Sequence, residues 1–290
     1  MHGIYCGLKN PAAGRLAACA RLEVWEETAM YAEDTRLLDS VIAAVREAGR
    51  LLTDPAALRE IRAKSATDFV TNVDLRVEEA LKARLAELTP EAQFMGEEQD
   101  NAGLDLAKPC WILDPVDGTT NLIHRFSFSA ISLALAEEGR VVFGVVYNPY
   151  HDECFTAQLG RGSFLNGHPI RVSDAAALRE SLISVGTAPG HRAWADDTFR
   201  LMRRLFDACQ DVRRMGCASL DLCYVACGRQ DGFVERQLQP WDYAAGLLIV
   251  AEAGGQATDL DGAALPLAHG SGVAASNGLI HSAVLAALRD

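Results

Sequence analysis

The sequence predicts a mixed α/β protein whose first half is α+β and whose second half is α/β. Residues 34–53 carry apolar side chains at helical spacing. Residues 129–157 contain consecutive short strand patterns that are separated by Gly and Pro turns. After residue 173, short apolar strands alternate with helical segments. That alternation is the order expected of an α/β unit, so the two halves of the chain differ in architecture.

The elements follow in order from local patterns. Residues 64–74 predict a short extended piece that leads into a helix from about 75 to 88. The Asn166-Gly167 pair predicts a tight hairpin turn. We place a boundary near residue 172, which divides a first half, 30–172, from a second half, 173–290. In the second half we predict strands over 182–185, 212–215 and 231–235, and helices over 199–209, 216–227 and 240–253.

The first residues of the chain lack this patterning. Residues 1–29 have weak periodicity, an Asn10-Pro11 break and no clean apolar core of the kind that a signal peptide needs. Strong helical patterning begins only after Met30, so we predict that residues 1–29 are an upstream extension. The alternative is a helix over roughly residues 12–30.

Composition excludes several function classes. The 290-residue chain is 49% hydrophobic and 23% charged, which is ordinary for a globular protein with a sizeable core. Its net charge is -12 and no Lys/Arg run occurs, so we expect no nucleic-acid binding through a basic face. The sequence contains no run of 18 apolar residues, so we expect no membrane span. The eight cysteines form no C-x-x-C pair, which favours reduced thiols in a cytoplasmic protein.

The chemistry centres on residues 111–121, which have the sequence WILDPVDGTTN. Asp114 and Asp117 follow an apolar strand pattern, and Pro115 stiffens the backbone between them. Gly118 permits a sharp turn, after which hydroxyls and free backbone N–H groups follow. Oxygen ligands beside exposed N–H groups suit a site that holds Mg²⁺ and a phosphate together. The alternative is a strand, an Asp-Pro turn and a capped helix without a ligand.

Three further acidic motifs accompany this stretch. Taken alone, Asp74, at the end of VTNVD, would be an N-cap of the following helix. Glu97 lies in the sequence GEEQ, which by itself usually marks a solvated loop. Asp242 lies in WDYAAG, in the first turn of a predicted helix, where its charge suits the helix dipole.

Together the four motifs resemble those of the inositol monophosphatase family, which are Mg²⁺-dependent, lithium-sensitive phosphatases. The family pattern has D-P-[apolar]-D-G-T-T-N at its centre, V-T-x-x-D and G-E-E before it, and W-D-x-A-A-G after it. The resemblance covers roughly residues 36–288. It implies a layered αβαβα sandwich of the inositol monophosphatase and fructose bisphosphatase type, and it implies a homodimer.

The resemblance also implies roles for individual residues. The implied metal ligands, for two or three Mg²⁺ with Mn²⁺ as a substitute, are Glu97, Asp114, the Val116 carbonyl, Asp117, Asp242 and Asp74. Oxygen ligands of this kind select Mg²⁺ or Mn²⁺ over zinc. Thr119, Glu97 and Asp117 are the implied catalytic residues for in-line attack of water on a small phosphate monoester. The implied substrate contacts are Asp117, Gly118, Thr119, Ala218, Glu235 and Asp242.

The sequence departs from the family pattern at one position of the segment that contacts substrate. The family has G-[ST]-A-A there, whereas this chain carries Cys217 after Gly216. Cys217 either replaces a hydroxyl or acts as a redox nucleophile. Glu235 lies seven residues before Asp242, as a hydroxyl-binding carboxylate does in the family; the alternative is a surface charge at a strand end. We expect His124 to be structural.

Three functions therefore compete. The first is an inositol-phosphate phosphatase. The second is a sister activity on the same scaffold, namely fructose bisphosphatase, histidinol phosphatase or phosphoadenosine-phosphate phosphatase. The third is a metal-binding interaction protein without catalysis. The sequence D-G-T-T-N followed by His124 favours the inositol-phosphate phosphatase. The chain keeps Thr119 as well as all of the acidic motifs, which argues against a metal-binding protein without catalysis.

Overall fold

The computed structural model describes residues 31, 33–54, 61–63 and 69–289, so the prediction for residues 1–29 lies outside the described residues. The described helices are α1 (Thr35–Thr53), α2 (Asn72–Leu88), α3 (Thr119–Ile123), α4 (Ala195–Ala208), α5 (Ala218–Ala226), α6 (Pro240–Glu252) and α7 (His281–Arg289). Two 3-10 turns are Leu178–Glu180 and Arg192–Trp194. The strands are β1 (Ile61–Ala63), β2 (Phe69–Thr71), β3 (Gln93–Gly96), β4 (Cys110–Asp117), β5 (Ala130–Glu137), β6 (Arg140–Asn148), β7 (Glu153–Gln158), β8 (Gly162–Leu165), β9 (His168–Pro169), β10 (Leu182–Val185), β11 (Asp211–Arg213), β12 (Gly232–Leu238), β13 (Gln256–Thr258) and β14 (Ser271–Ser276).

The first half of the chain forms a seven-stranded sheet in the order β3-β4-β5-β6-β7-β8-β9. The β3–β4 pair is parallel and the other pairs are antiparallel. Strand β4 is buried along its whole length because both of its faces are covered. Trp111 and Leu113 pack with α1 and α2, whereas Cys110 and Ile112 pack with α5 and α6. This alternation is the period of two that a strand imposes on its side chains.

The second half forms a five-stranded sheet in the order β11-β10-β12-β14-β13. Strand β10 runs parallel to β11 and β12, and β14 runs antiparallel to β12 and β13. The seven-stranded sheet ends at Pro169 and the second sheet begins at Leu182. The boundary near residue 172 between two halves stays a prediction that is compatible with this division.

Three apolar clusters join the layers. Helices α1 and α2 pack on one face of the seven-stranded sheet through residues such as Val41 and Val77. Helices α5 and α6 lie between the two sheets, where Leu222 and Ile249 pack in a cluster with residues of both. Helices α4 and α7 cover the remaining face of the five-stranded sheet. The predicted αβαβα order is therefore confirmed.

Close packing of the central layer depends on two glycines. A Cβ atom on Gly144 of β6 would lie 2.9 Å from the carbonyl oxygen of Ala245 in α6. A Cβ atom on Gly246 would lie 2.5 Å from Cδ1 of Leu222 in α5. Glycine at these two positions lets α6 approach both the sheet and α5 at once.

Two helices begin at residues different from those that the sequence predicts. Helix α2 begins at Asn72 instead of near residue 75, because the Thr71 side chain caps it. Helix α5 begins at Ala218 instead of Gly216, because Gly216 has a φ of 85°. That left-handed conformation belongs to a turn and not to a right-handed helix.

Among the described residues, the other predicted elements agree closely with the structure, whereas residues 64–68 of the predicted extended piece lie outside the described residues. Asn166 and Gly167 connect β8 to β9 with φ values of 50° and 78°, so the predicted hairpin turn is confirmed. Helix α4 begins earlier than predicted and β12 extends further. Strands β13 and β14 and helix α7 were not predicted from the sequence. In the described part of the chain, no helix is both long enough and apolar enough to cross a membrane.

Candidate active site

The four acidic motifs of the sequence converge beside the carboxyl end of β4. The hydroxyl of Thr119, the first residue of α3, donates to Oδ1 of Asp74 over 3.2 Å, which joins the segment after β4 to the start of α2. The backbone N–H of Ser219 donates to Oδ2 of Asp117 over 2.6 Å, which joins β4 to the start of α5. The charges of Glu97 and Asp242 act on Asp114. Elements from both sheets therefore meet at this strand end.

A β-bulge shapes the end of β4. Asp114 pairs with Ser132 of β5 and Asp117 pairs with Ala130, so β4 carries one extra residue between these pairs. Pro115 lies inside the bulge, where a missing N–H costs no ladder hydrogen bond. The N–H of Val116 donates to Oδ1 of Asp114 over 2.9 Å. The bulge brings both carboxylates into one buried cluster.

The turn after β4 is anchored to the loop before α5. Gly118 has a φ of 84°, and a Cβ atom there would lie 3.1 Å from the carbonyl oxygens of both Gly216 and Phe128. The side-chain amide of Asn121 donates to the carbonyl of Phe128 over 2.8 Å and to that of Met215 over 2.9 Å. Asn121 is the last residue of the central motif, and the observed partners of its side chain are backbone carbonyls. Asn121 therefore links the turn after β4 to the loop before α5.

Cys217 also contacts the central motif. Its Sγ donates to Oδ2 of Asp117 over 3.2 Å, and its side chain is only 1% exposed. Burial raises the pKa of the Cys217 thiol well above its usual range, and the charge of Asp117 adds to this effect. A redox nucleophile needs an accessible thiolate. The redox alternative for Cys217 is therefore disfavoured, and the thiol instead takes a hydrogen-bonding role of the kind that a hydroxyl would have.

Asp74 accepts hydrogen bonds through both of its carboxylate oxygens, and its role as a metal ligand stays a prediction. One carboxylate oxygen, Oδ2, accepts the backbone N–H of Thr71 over 2.9 Å and so completes a capping box at the start of α2. Asp74 is therefore the third residue of the helix and not its N-cap. The other oxygen accepts the hydroxyl of Thr119. Burial raises the pKa of Asp74, and the hydrogen bonds from Thr71 and Thr119 oppose that rise.

Four carboxylates near the end of β4 repel one another. Burial raises the pKa of Asp114 well above its usual range, and the charges of Glu97, Asp117 and Asp242 raise it further. Burial likewise raises the pKa of Asp242, followed by the charges of Asp117 and Glu97. In Asp117, hydrogen bonds from Ser219 and Cys217 oppose the effect of burial. A cluster of this kind is stabilised when a cation neutralises it.

These residues fit a hard divalent cation by the chemistry of their donor atoms. The carboxylates of the cluster and the nearby Val116 carbonyl offer oxygen, which Mg²⁺ and Mn²⁺ prefer over zinc. Among the described residues, no three Asp, Glu, His or Cys side chains already converge into a coordination cage. The carboxylates lie close enough to raise one another's pKa.

Glu235 lies inside the protein. Its side chain is 8% exposed, and Oε1 accepts the backbone N–H of Ala188 over 2.9 Å. A Cβ atom on Gly186 would lie 2.0 Å from the Glu235 carboxyl carbon, so only glycine fits beside this carboxylate. Burial raises the pKa of Glu235 to about 7, while the hydrogen bond from Ala188 and the Arg214 guanidinium oppose the rise. These contacts disfavour the surface-charge alternative.

Sequence reasoning missed a second buried acid, Asp221 in α5. It is 3% exposed, and Nε2 of Gln230 donates to Oδ1 over 3.4 Å. Burial raises the pKa of Asp221 to about 8, and the charges of Glu235 and Asp117 add to it. The available signal was an aspartate between leucines in an apolar helix. This signal is weak, because aspartate is mostly exposed and only packing against distant segments decides that this one is buried.

We expect Asp221 to make the stability of the protein depend on pH. Because its pKa rises from an unfolded value near 3.8 to about 8, the folded state holds a proton that the unfolded state has lost. This contribution is fully present below the unfolded pKa and is lost as pH rises towards about 8. Asp221→Asn should therefore stabilise the protein increasingly between pH 5 and 8, by on the order of 2–4 kcal/mol at the upper end.

Thermal melting from pH 5 to 8 with a chelator present measures this effect. The exposed Asp207 provides the matched control, since Asp207→Asn should leave the pH profile of the melting temperature unchanged. A difference between Asp221→Asn and wild type that stays constant with pH would show that Asp221 does not titrate in this range.

Comparison with known proteins adds independent findings. The family model described as the inositol monophosphatase family matches residues 30–290. An inositol-1-monophosphatase of Rhizobium meliloti (strain 1021) is 41% identical over 239 residues, which cover 81% of this chain and 90% of that protein. The Nus factor SuhB of Escherichia coli (strain K12) is 38% identical over 258 residues, covering 88% of this chain and 96% of that protein.

A solved structure shares the fold. The IMPase of Thermotoga maritima superposes with a TM-score of 0.79 at 36% sequence identity. The match covers 87% of this chain and 96% of that structure. The layered architecture and the sequence motifs therefore agree with those of the same group of proteins.

Proposed function

This chain belongs to the inositol monophosphatase family, and on that premise we propose that it is a Mg²⁺-dependent phosphate monoester hydrolase whose preferred substrate is inositol monophosphate. The observation that carries the proposal is the hydrogen bond from Thr119 to Asp74 beside a cluster of four carboxylates. A hydroxyl that is hydrogen-bonded to a buried carboxylate beside the cluster can pass on a proton, which hydrolysis requires and metal binding alone does not. Measuring hydrolysis of a panel of phosphate monoesters with and without Mg²⁺ tests the proposal.

The metal ligands in this proposal are the oxygen donors at the end of β4 and their neighbours. They are Glu97, Asp114, the Val116 carbonyl, Asp117, Asp242 and Asp74, for two or three Mg²⁺. When bound, Mg²⁺ supplies Lewis-acid stabilisation of phosphate charge and lowers the pKa of water. The mutual repulsion of the carboxylates supports this assignment, because cations relieve the charge that burial makes costly.

Thr119 would accept a proton from the attacking water and transfer its own hydroxyl proton to Asp74. Oγ1 of Thr119 lies 2.9 Å from the carbonyl oxygen of Val116 and 3.2 Å from Oδ1 of Asp74. Both are acceptors, so the hydroxyl hydrogen points to them and a lone pair of Oγ1 is left for the water. As Oγ1 takes the water proton, the Thr119 hydroxyl proton passes to Asp74. Glu97 accepts the second water hydrogen and keeps the water in line with the phosphorus atom.

The remaining site residues would hold the substrate. The N–H groups of Gly118 and Thr119 bind phosphate oxygens at the turn after β4. The hydroxyls of a polyol would form hydrogen bonds with the start of α5 and with three carboxylates. The backbone N–H groups at Ala218 would donate, and the carboxylates of Asp117, Glu235 and Asp242 would accept. In this arrangement residues 30–172 supply most of the metal site and residues 173–290 supply most of the specificity.

The alternatives differ from this proposal in substrate. The sister activities on fructose, histidinol or phosphoadenosine phosphates would use the same metal ligands. The buried Glu235 favours a substrate with several hydroxyls, because a buried carboxylate needs donors to offset its lost hydration. The proposal extends, by family resemblance, to lithium sensitivity, a homodimer and a cytoplasmic location.

Glu235→Gln should lower kcat/KM for inositol monophosphate by about ten- to a hundredfold, since a hydrogen bond to a charged group contributes about 1.5–3 kcal/mol. An aryl phosphate without hydroxyls should be nearly unaffected. Initial rates at pH 8 measure both substrates with Glu235 ionised, because its pKa is about 7.

Glu180→Gln is the matched control, because Glu180 is exposed in the same half of the chain. It should leave both rates unchanged. Equal losses on both substrates in Glu235→Gln would mean that Glu235 supports the metals or the fold, and the argument for a polyol substrate would then fail.

A further inference from the structure

Glu78 is a buried carboxylate that the mechanism above does not use. It lies on α2 one turn after Asp74, at the spacing that places two side chains on the same helix face. Its side chain is 9% exposed, and Oε2 accepts the backbone N–H of Glu98 over 3.1 Å. Its partner is therefore the loop that contains Glu97. Because Glu78 binds the backbone of this loop, it can determine where Glu97 lies.

The close fit between Glu78 and this loop requires a glycine. A Cβ atom on Gly96 would lie 2.5 Å from Oε2 of Glu78. Gly96 ends β3 and pairs with Leu113 of β4, directly before Asp114. The N–H of Glu97 continues this pairing by donating to the carbonyl of Leu113 over 3.3 Å. The loop thus leaves the sheet at the point where the carboxylate cluster begins.

Asn101 holds the other side of Glu97. Its Oδ1 accepts the N–H of Gly96 over 3.1 Å, and its Nδ2 donates to the carbonyl of Gly96 over 2.8 Å. Both backbone groups of the residue before Glu97 are therefore bound by one side chain. Glu78 binds the backbone N–H of the residue after it. The backbone on either side of Glu97 is clamped by side chains from two separate elements.

The clamp opposes a repulsive force. Glu97 carries the same charge as Asp114 and Asp242, and the charges of these groups act on one another, so Glu97 is repelled by its neighbours. A carboxylate on an unrestrained loop relieves such repulsion by turning towards solvent. Backbone hydrogen bonds on both sides of Glu97 limit that movement, in the way that partners behind metal ligands orient the ligands themselves.

We propose that Glu78 and Asn101 are positioning residues that hold Glu97 against Asp114 and Asp242. This inference rests on the proposed function, in which Glu97 binds Mg²⁺ and contacts the attacking water. Helix α2 carries both Asp74, which binds Thr119, and Glu78, which binds the Glu97 loop. One rigid helix therefore sets the separation between the two groups that orient the water.

Isothermal titration of metal-stripped full-length protein with Mg²⁺ tests the role of Glu78. Glu78→Ala should weaken Mg²⁺ binding by about 10- to 100-fold, the usual effect of removing a group that orients a ligand. Glu78→Gln should bind within about threefold of wild type, because its amide oxygen still accepts the Glu98 N–H. Glu79→Ala, at the exposed neighbouring position on α2, should bind like wild type. Equal weakening in Glu78→Ala and Glu78→Gln would overturn the hydrogen-bonding role.

A double-mutant cycle separates positioning from general stability. In a Glu97→Gln background, Glu78→Ala should cause little further loss of Mg²⁺ affinity, because the group that it positions is already gone. Additive losses would overturn the inference. Asn101→Ala is the second variant, for use if Glu78→Ala does not fold. It should also weaken Mg²⁺ binding, because it removes both side-chain hydrogen bonds to the backbone of Gly96. Its melting temperature in chelator shows whether the fold survives.

Two outcomes distinguish this inference from the function on which it rests. If wild-type protein takes up no Mg²⁺ and shows no Mg²⁺-dependent hydrolysis, the proposed function fails and the inference fails with it. If the wild type binds Mg²⁺ and Glu78→Ala and Asn101→Ala bind it equally well, only the inference fails.

Discussion

Asp114→Asn should abolish hydrolysis while leaving a folded protein. We expect a loss in kcat/KM of about 10³-fold or more, because a Lewis acid contributes several kcal/mol to the reaction. The amide oxygen of the new side chain can still accept the Val116 N–H, which keeps the bulge at the end of β4. The loss of activity therefore reports on metal binding and not on the local backbone.

The same substitution should raise the melting temperature of the metal-free protein. Burial and three neighbouring carboxylates raise the pKa of Asp114, so its stabilising contribution is present at low pH and is lost as pH rises above its unfolded value. At neutral pH, folding requires Asp114 either to stay ionised while buried or to take up a proton, and both cost folding free energy that an amide does not. Stability and activity are thus expected to change in opposite directions, as at other sites where function requires repelling charges.

Initial rates and thermal melting, each with Mg²⁺ and with chelator, measure both effects. Wild-type protein should melt at a higher temperature with Mg²⁺, by mass action, and Asp114→Asn should lose most of this increase. Asp39→Asn, at an exposed position on α1, is the control and should behave like wild type. Full activity in Asp114→Asn, or wild-type activity that a chelator leaves undiminished, would refute the assignment of a metal site.

Thr119→Val should lower kcat by about 10²–10⁴-fold and change KM little, which is the range expected when a group that moves a proton is lost. Valine matches threonine in shape, so the start of α3 should persist. Asp74 keeps its capping bond from Thr71 in this variant, and α2 should therefore stay in place. Mg²⁺ affinity should remain close to wild type.

Thr119→Ser is the matched variant because it keeps the hydroxyl, and it should retain activity within about tenfold of wild type. Steady-state kinetics with inositol monophosphate and Mg²⁺ titration calorimetry measure the two quantities separately. An equal loss of kcat in the serine and valine variants would assign the effect to packing. A loss of Mg²⁺ affinity in the valine variant would make Thr119 a support for the metals instead.

The relation between Asp74 and Thr119 shows how local and tertiary information divide. The sequence indicated that Asp74 begins a helix, and the capping box at α2 agrees with that pattern. It also presented capping and ligation as alternatives, because a short motif does not show which group faces each carboxylate oxygen. The fold brings Thr119 to the oxygen that the capping box does not use. Neither alternative named this contact, and metal ligation by Asp74 stays a prediction.

Other parts of the site could not be predicted for a related reason. Cys217 contacts Asp117 from 100 positions away in the chain, and no local pattern records such a pair. Asp221 and Glu78 have ordinary positions in their helices, and only burial by distant segments gives them unusual environments. Strands β13 and β14 were not predicted because they are rich in small residues. They are stabilised by pairing within one sheet, in which β14 lies between β12 and β13.

By itself the sequence determined the local elements and the residue types available for chemistry. Apolar patterns and turn residues indicated the first part of β4, the hairpin at Asn166 and Gly167, and most helices, since these depend on neighbours along the chain. The sequence placed Asp114 and Asp117 after the strand, whereas β4 includes both. Only the tertiary structure decided which side chains meet and how far each is buried. Partners and pKa values depend on atoms that are close in space and distant in sequence, and folding alone brings them together.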